Sequence, residues 1–178
     1  MSSKGEFTVT KYFEKRGLNA IKISEKNTKT PDFKFFKGDN LLFYCEEKTV
    51  ENDDFIISDG INEVEDKSST KLSSRINTAI KQFEAENPDH KYPNVLAFNN
   101  EDPLVNPNDL FLAITKYTVT DTGKYFKLLN SLGRIEEKLG TIDLYIWFEN
   151  GDFVNWIWSN QVQEHTARLK SVLNFNLY

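Results

Sequence analysis

One cysteine, one methionine and two histidines make up the whole supply of soft metal ligands in this 178-residue sequence. A lone Cys45 excludes an intrachain disulfide framework and a thiolate zinc site. No apolar run approaches the ~20 residues that cross a bilayer. The opening "MSSKGEFTVT" lacks the apolar core of a secretory leader, so a cytoplasmic location is expected and a membrane partner is not. There is no internal repeat, low-complexity tract or linker-like stretch, which predicts a single domain over residues 1–178.

What is present points to a packed globule. Hydrophobic residues make up 39% of the chain and aromatics 13%, enough apolar surface to fill a core. The net charge is −5, which at first argues against a nucleic-acid partner. Its distribution weakens that argument. Residues 51–66, "ENDDFIISDGINEVED", hold seven acids and no base, and outside them 22 bases face 20 acids. DNA or RNA therefore stays open as a partner, with weak non-specific affinity expected.

Val9, Tyr12, Phe13 and Arg16 recur at helical spacing before Gly17, predicting a short helix from Phe7 to Arg16. Leu18 to Ser24 reads as extended. Asp32 to Phe36 and Leu41 to Lys48 read as aromatic-rich strands, and the acidic stretch after them as a loop. Leu72, Ile76, Ala79, Ile80 and Phe83 form one stripe, predicting a helix from Ser68 to Glu86 capped among Ser68, Ser69 and Thr70. "NVLAF", Asn94 to Phe98, reads as a strand covered on both faces. A strand, a long helix and a second buried strand imply a parallel pair. Pro107 to Lys116, Tyr125 to Leu139 and Gln161 to Leu173 read as helices. Thr141 to Phe148 and Phe153 to Trp158 flank Asn150-Gly151, a strong hairpin signal.

The register of the first hairpin decides which side chains act together, because a one-residue slip exchanges the two faces. With Gly38-Asp39-Asn40 as a three-residue loop, Lys37 pairs with Leu41, Phe35 with Phe43 and Phe33 with Cys45. Phe33, Phe35, Leu41, Phe43 and Cys45 then share an apolar face. Asp32 lies opposite Glu46, roughly 5 Å away at Cβ, with Lys48 two residues beyond. Glu47 falls on the apolar face. Two carboxylates so close repel unless a cation lies between them, and hard oxygen ligands select Mg²⁺ or Mn²⁺. An ammonium beside such an ion suits phosphodiester hydrolysis, by orienting water or countering charge on phosphate.

Pro31-Asp32 followed by Glu46-Glu47-Lys48 resembles the signature of the PD-(D/E)xK nuclease superfamily. The resemblance covers roughly the first 100 residues. It implies a restriction-endonuclease-like α/β fold, a central mixed sheet flanked by helices in the order αβββαβ, here followed by an extra C-terminal hairpin and helices. It further implies a Mg²⁺-dependent endonuclease acting on DNA, with Asp32 and Glu46 as metal ligands helped by the backbone carbonyl of Glu47. Lys48 would serve the water nucleophile. By the same resemblance Glu14, on the first helix, and Gln82, on the helix after the triplet, are outer site candidates. Lys71 and Arg75 share the flank of Gln82.

Each feature also has a plainer reading. For Asp32, Glu46 and Lys48 it is a charged hairpin edge with a weak ion pair, which accounts for the polar face but not for the order of Pro-Asp, acid-x-Lys and crossover. His90 and His165 read as surface residues, and Cys45 as a small buried hydrophobe. Tyr145, Trp147, Trp156 and Trp158 are expected on one face of the second hairpin, against Leu144, Ile146, Phe148, Phe153 and Ile157. A hairpin apolar on both faces must be covered twice, by its own helices or by a second subunit, so a homodimer through Thr141 to Trp158 is an open expectation. The runner-up function is a catalytically inactive nuclease-fold protein that binds nucleic acid or protein.

Overall fold

The computed structural model of the chain describes residues 3–24, 29–51, 61–115, 117–119, 125–127, 136–159 and 161–173. Helix α1 (Lys4–Glu14) leads into strands β1 (Asn19–Lys22), β2 (Phe33–Lys37) and β3 (Asn40–Val50). Helix α2 (Ile61–Glu86) and strand β4 (Asn94–Asn100) follow. Next come α3 (Pro107–Thr115), a small separate pair β5 (Tyr117–Val119) and β6 (Tyr125–Lys127), and a 3-10 turn (Glu136–Thr141). Strands β7 (Leu144–Glu149) and β8 (Asp152–Trp158) and helix α4 (Gln163–Leu173) complete the order.

Six strands form one open mixed sheet in the order β1-β2-β3-β4-β7-β8. The pairs β3–β4 and β4–β7 are parallel and the rest antiparallel. Every residue of β4 is buried, the apolar run Val95 to Phe98 as expected of a central strand and the asparagines at its ends as well. One face of the sheet packs on α1 and α4 through Val9, Phe13, Phe35, Phe43, Ile146 and Leu169. The other packs on α2 and α3 through Leu72, Ile76, Phe83, Leu96, Phe98 and Leu110. The α2 stripe is thus a core stripe. Phe13 fixes α1 over the first hairpin, its ring 4.6 Å from Phe35 and 5.0 Å from Phe43 between centroids.

The first hairpin keeps the expected pairing in its body, Phe33 with Cys45 and Phe35 with Phe43, but not at its tip. Lys37 pairs with Asn40, leaving a two-residue Gly38-Asp39 loop, and a bulge lies between Phe35 and Phe36. Gly38 takes φ 59° while Asp39 does not go positive, the pattern a type II′ turn requires. The extra residue in β3 sends Leu42 to the α1 face and Leu41 to the α2 face, where a bulge-free ladder would have reversed them.

Four other expectations change. Helix α2 begins at Ile61, so residues 61–66 are helical rather than loop, and Ser68, Ser69 and Thr70 lie inside the helix instead of capping it. Residues 125–127 are a strand and 136–141 a 3-10 turn, where one helix is expected from Tyr125 to Leu139; residues 128–135 lie outside the described ones. A Tyr-Thr-Val run offers a partner strand, and aromatic Tyr125-Phe126 pairs with it instead. In the second hairpin the turn is Asn150-Gly151, both at positive φ, but a bulge past Trp147 moves Trp156 and Trp158 to the face of Ile146 and Ile157 to that of Tyr145. Among the described residues, no helix is long and apolar enough to cross a membrane.

Candidate metal and catalytic site

The site grows from the way β2 begins. With Phe33 opposite Cys45, two more residues of ladder would set Pro31 opposite Glu47. Proline has no N–H to return to the ladder, and the strand starts only after it. The Glu47 N–H left facing that gap donates to Asp32 Oδ2 at 2.8 Å. In return the Asp32 N–H donates to Glu46 Oε2 at 3.0 Å. The Asp32 carbonyl accepts from Ile23, tying β1 to the same point. Pro-Asp is therefore the physical cause that aims the Asp32 carboxyl at β3.

Alternation along β3 puts Glu46 and Lys48 on the α2 face and Glu47 on the α1 face. The Lys48 ammonium donates to Glu46 Oε1 and, at 3.0 Å, to Gln82 Oε1. Gln82 is held by its other end, Nε2 donating to the Thr30 carbonyl at 2.9 Å. One amide thus links α2, the β3 lysine and the residue before Pro31. The Glu46 side chain is 2% exposed and that of Lys48 17%.

Burial, then the Asp32 charge, pushes Glu46 up to about 8, against the weaker lowering pull of Lys48 and Gln82. Burial pushes Glu47 up to about 7, with Asp32 and Glu6 adding repulsion. Asp32 is raised too, chiefly by burial. Acids that share buried space and repel one another form an environment a cation relieves. Asp32 and Glu46 are two hard oxygen donors at one corner, the number of carboxylates that a hard divalent cation commonly takes before water completes its shell. The Glu47 carboxylate does not join them. It lies on the α1 face of β3 and accepts from the Thr49 hydroxyl at 2.7 Å, while the Glu47 main-chain N–H is what bonds Asp32.

The acid that α1 brings to this corner is Glu6, not Glu14. Glu14 lies 46% exposed and pairs with Lys11 at 3.1 Å. Glu6 lines an open cleft of about 530 Å³ together with Lys22, Ile23, Ser24, Thr30, Pro31 and Asp32. It pairs with Lys22 at 2.7 Å, and its charge bears on both Asp32 and Glu47. The sequence signal for it is Ser3-x-x-Glu6, a capping-box pattern one turn before Val9, and the Ser3 hydroxyl does accept the Glu6 N–H at 3.0 Å. Lys71 turns away to the Glu51 carbonyl at 2.5 Å.

Helix α1 approaches this corner closely because residue 5 is glycine. A Cβ there would lie 2.0 Å from Glu47 Oε1 and 2.7 Å from Thr49 Oγ1. A Gly5→Ala variant is expected to lose about 1–3 kcal/mol in urea unfolding, because α1 must lift or the Glu47–Thr49 bond must break. A melt equal to that of the parent would mean that the helix start yields freely.

Of the two histidines read as surface from the sequence, one is buried and the other is half-buried. His165 is buried, and His90 contacts Asp143. Cys45 is fully buried, and burial pushes its thiol well up, so it stays a protonated core group. Compared with protein-family models, curated proteins and solved structures, the chain matches none, so its own geometry carries the reading of the site.

Proposed function

We propose that the chain is a metal-dependent nuclease of PD-(D/E)xK type that hydrolyses phosphodiester bonds in DNA. The observation that carries this reading is the meeting of Asp32, Glu46 and Lys48 at the end of the first hairpin, fastened to α2 by Gln82. The element order from α1 to β4 and the parallel β3–β4 pair support a restriction-endonuclease-like core. Asp32 and Glu46 would hold Mg²⁺ or Mn²⁺, with the Glu47 carbonyl as a third oxygen. A bound ion of this kind polarises a phosphoryl oxygen and acidifies water.

The protein's own groups do the rest. Lys48, held by Gln82, presents a fixed ammonium where charge gathers on the phosphate, and it orients water for in-line attack. The Glu47 N–H keeps Asp32 from swinging away. Glu6 takes the outer role the resemblance assigns to a helix acid.

A second reading has its own support. Lys22, Lys34 and Lys48 are each paired with an acid, Glu6, Glu86 and Glu46, which suits a non-catalytic module as well as an enzyme awaiting its ion. The test is cleavage of linear, circular and single-stranded DNA, and of RNA, with Mg²⁺, Mn²⁺ or EDTA. DNA cutting is expected only with metal, and in Asp32→Asn it should fall by about 100-fold or more. Binding without cutting under either ion would favour the module. Cutting of RNA alone would move the substrate class.

A further inference from the structure

We propose that His90, Asp143 and His165 form a second metal site, selective for Zn²⁺-class transition ions and independent of the nuclease reading. The three residues offer one ligand atom each, all within 4.8 Å of one another. His90 Nε2 lies 2.8 Å from Asp143 Oδ2, and His165 Nδ1 lies 3.1 Å from Asp143 Oδ1. The two rings meet edge to face at 4.7 Å. Tetrahedral zinc with bonds near 2.0–2.2 Å sets its ligands about 3.3–3.6 Å apart, so modest side-chain turns close the site. Two imidazoles and one carboxylate suit zinc, cobalt or nickel and do not suit Mg²⁺.

Asp143 makes the strongest case. Its side chain is 1% exposed, and among the described residues it pairs with no lysine or arginine. Burying a carboxylate is costly unless it is paired or coordinates a metal, and here both of its oxygens face imidazole nitrogens, the donor set a transition ion takes. The Asn94 N–H donates to Asp143 Oδ2 at 2.8 Å, a main-chain contact that fixes the carboxylate whether or not the ring protons remain. The turn that carries His90 is fastened as well. The Asn87 side chain accepts from the Lys91 N–H at 3.0 Å and donates to the Tyr92 carbonyl at 2.7 Å and to Asn94 Oδ1 at 2.9 Å. His90, at φ 47° and 24% exposed at its side chain, leaves one side of the cluster open for an ion and a water to enter.

The ion would join three segments far apart in sequence: the turn after α2, the residue just before β7 and helix α4. Its effect is to clamp α4 to the sheet. The test uses the untagged, metal-stripped full chain, titrated with Zn²⁺ by calorimetry and with Co²⁺ by visible absorption. At least one equivalent should bind with excess Mg²⁺ present, with a rise in melting temperature that Mg²⁺ alone does not reproduce. Asp32→Asn should keep that binding. His90→Ala should lose more than about 100-fold in affinity, beyond what removal of an outer contact costs. Because the His90 variant can shift the turn, ring-nitrogen NMR of the parent gives a second readout, in which Zn²⁺ should move His90 Nε2 and His165 Nδ1. Absence of Zn²⁺ binding, binding retained in His90→Ala, or unmoved ring nitrogens would each overturn the site.

Discussion

Lys48→Ala is expected to lower metal-dependent DNA cleavage by about 100- to 1000-fold while the chain still folds. The size follows from removing one preorganised donor aimed at developing charge. Folding survives because the loss is local. Gln82 Oε1 loses a donor and Glu46 a counter-charge, and the Glu46 carboxyl, already pushed up to about 8, answers by staying protonated. A stability loss of about 1–3 kcal/mol is the natural scale for such orphaned groups. Lys48→Arg separates charge from position. It keeps a cation near Glu46 and should recover most of the stability, yet its flat, longer head cannot sit where Gln82 holds the ammonium, so the rate should stay low. The readouts are cleavage with Mg²⁺ and a circular-dichroism melt on the same preparations. Cutting by Lys48→Ala at nearly the parent rate would remove this lysine from the chemistry.

The same residues show what a sequence displays and what it hides. Phe33, Phe35, Phe43 and Cys45 announce their shared face because strand alternation is local, and a mixed face would bury charge. The bulge that parts Leu41 from Leu42 leaves no such mark, since both are leucine and either face accepts one. Asn150-Gly151 was legible because two consecutive positive φ values demand such residues. Glu6 was hidden by a helix boundary. With the helix begun at Phe7 it lies outside, whereas with Ser3 as cap it shares the face of Val9 and Phe13. His90, Asp143 and His165 lie 53 and 22 residues apart, so only the parallel placement of β4 beside β7 and the return of α4 bring them together. Asp32 and Glu46 needed a hairpin; the histidines needed the whole sheet.

Glu46→Gln is expected to abolish cutting and, without metal, to make the protein more stable at pH 8 while leaving it no better at pH 5. In the unfolded chain this carboxyl titrates near its ordinary 4.5, and in the fold near about 8. Between those values the folded chain holds a proton that the unfolded chain has released. Stability is therefore intact below about 4.5 and falls as pH rises toward 8, by about 1.4 kcal/mol for each unit crossed. Glu47, raised to about 7, adds a loss of the same sign over a shorter range. Glutamine cannot ionise and escapes the Glu46 part of that decline. It also gives up one of two acceptor oxygens, those serving the Asp32 N–H and Lys48, which costs about 1 kcal/mol at any pH. The melting curves of parent and variant should accordingly cross as pH rises from 5 to 8. Mg²⁺ added at pH 8 should restore the parent and leave the variant where it was, because the ion needs the charge that glutamine lacks. A variant that melts below the parent at every pH would identify Glu46–Lys48 as a stabilising ion pair. A buried carboxylate that costs stability until a cation arrives is instead the mark of a residue kept for what it binds.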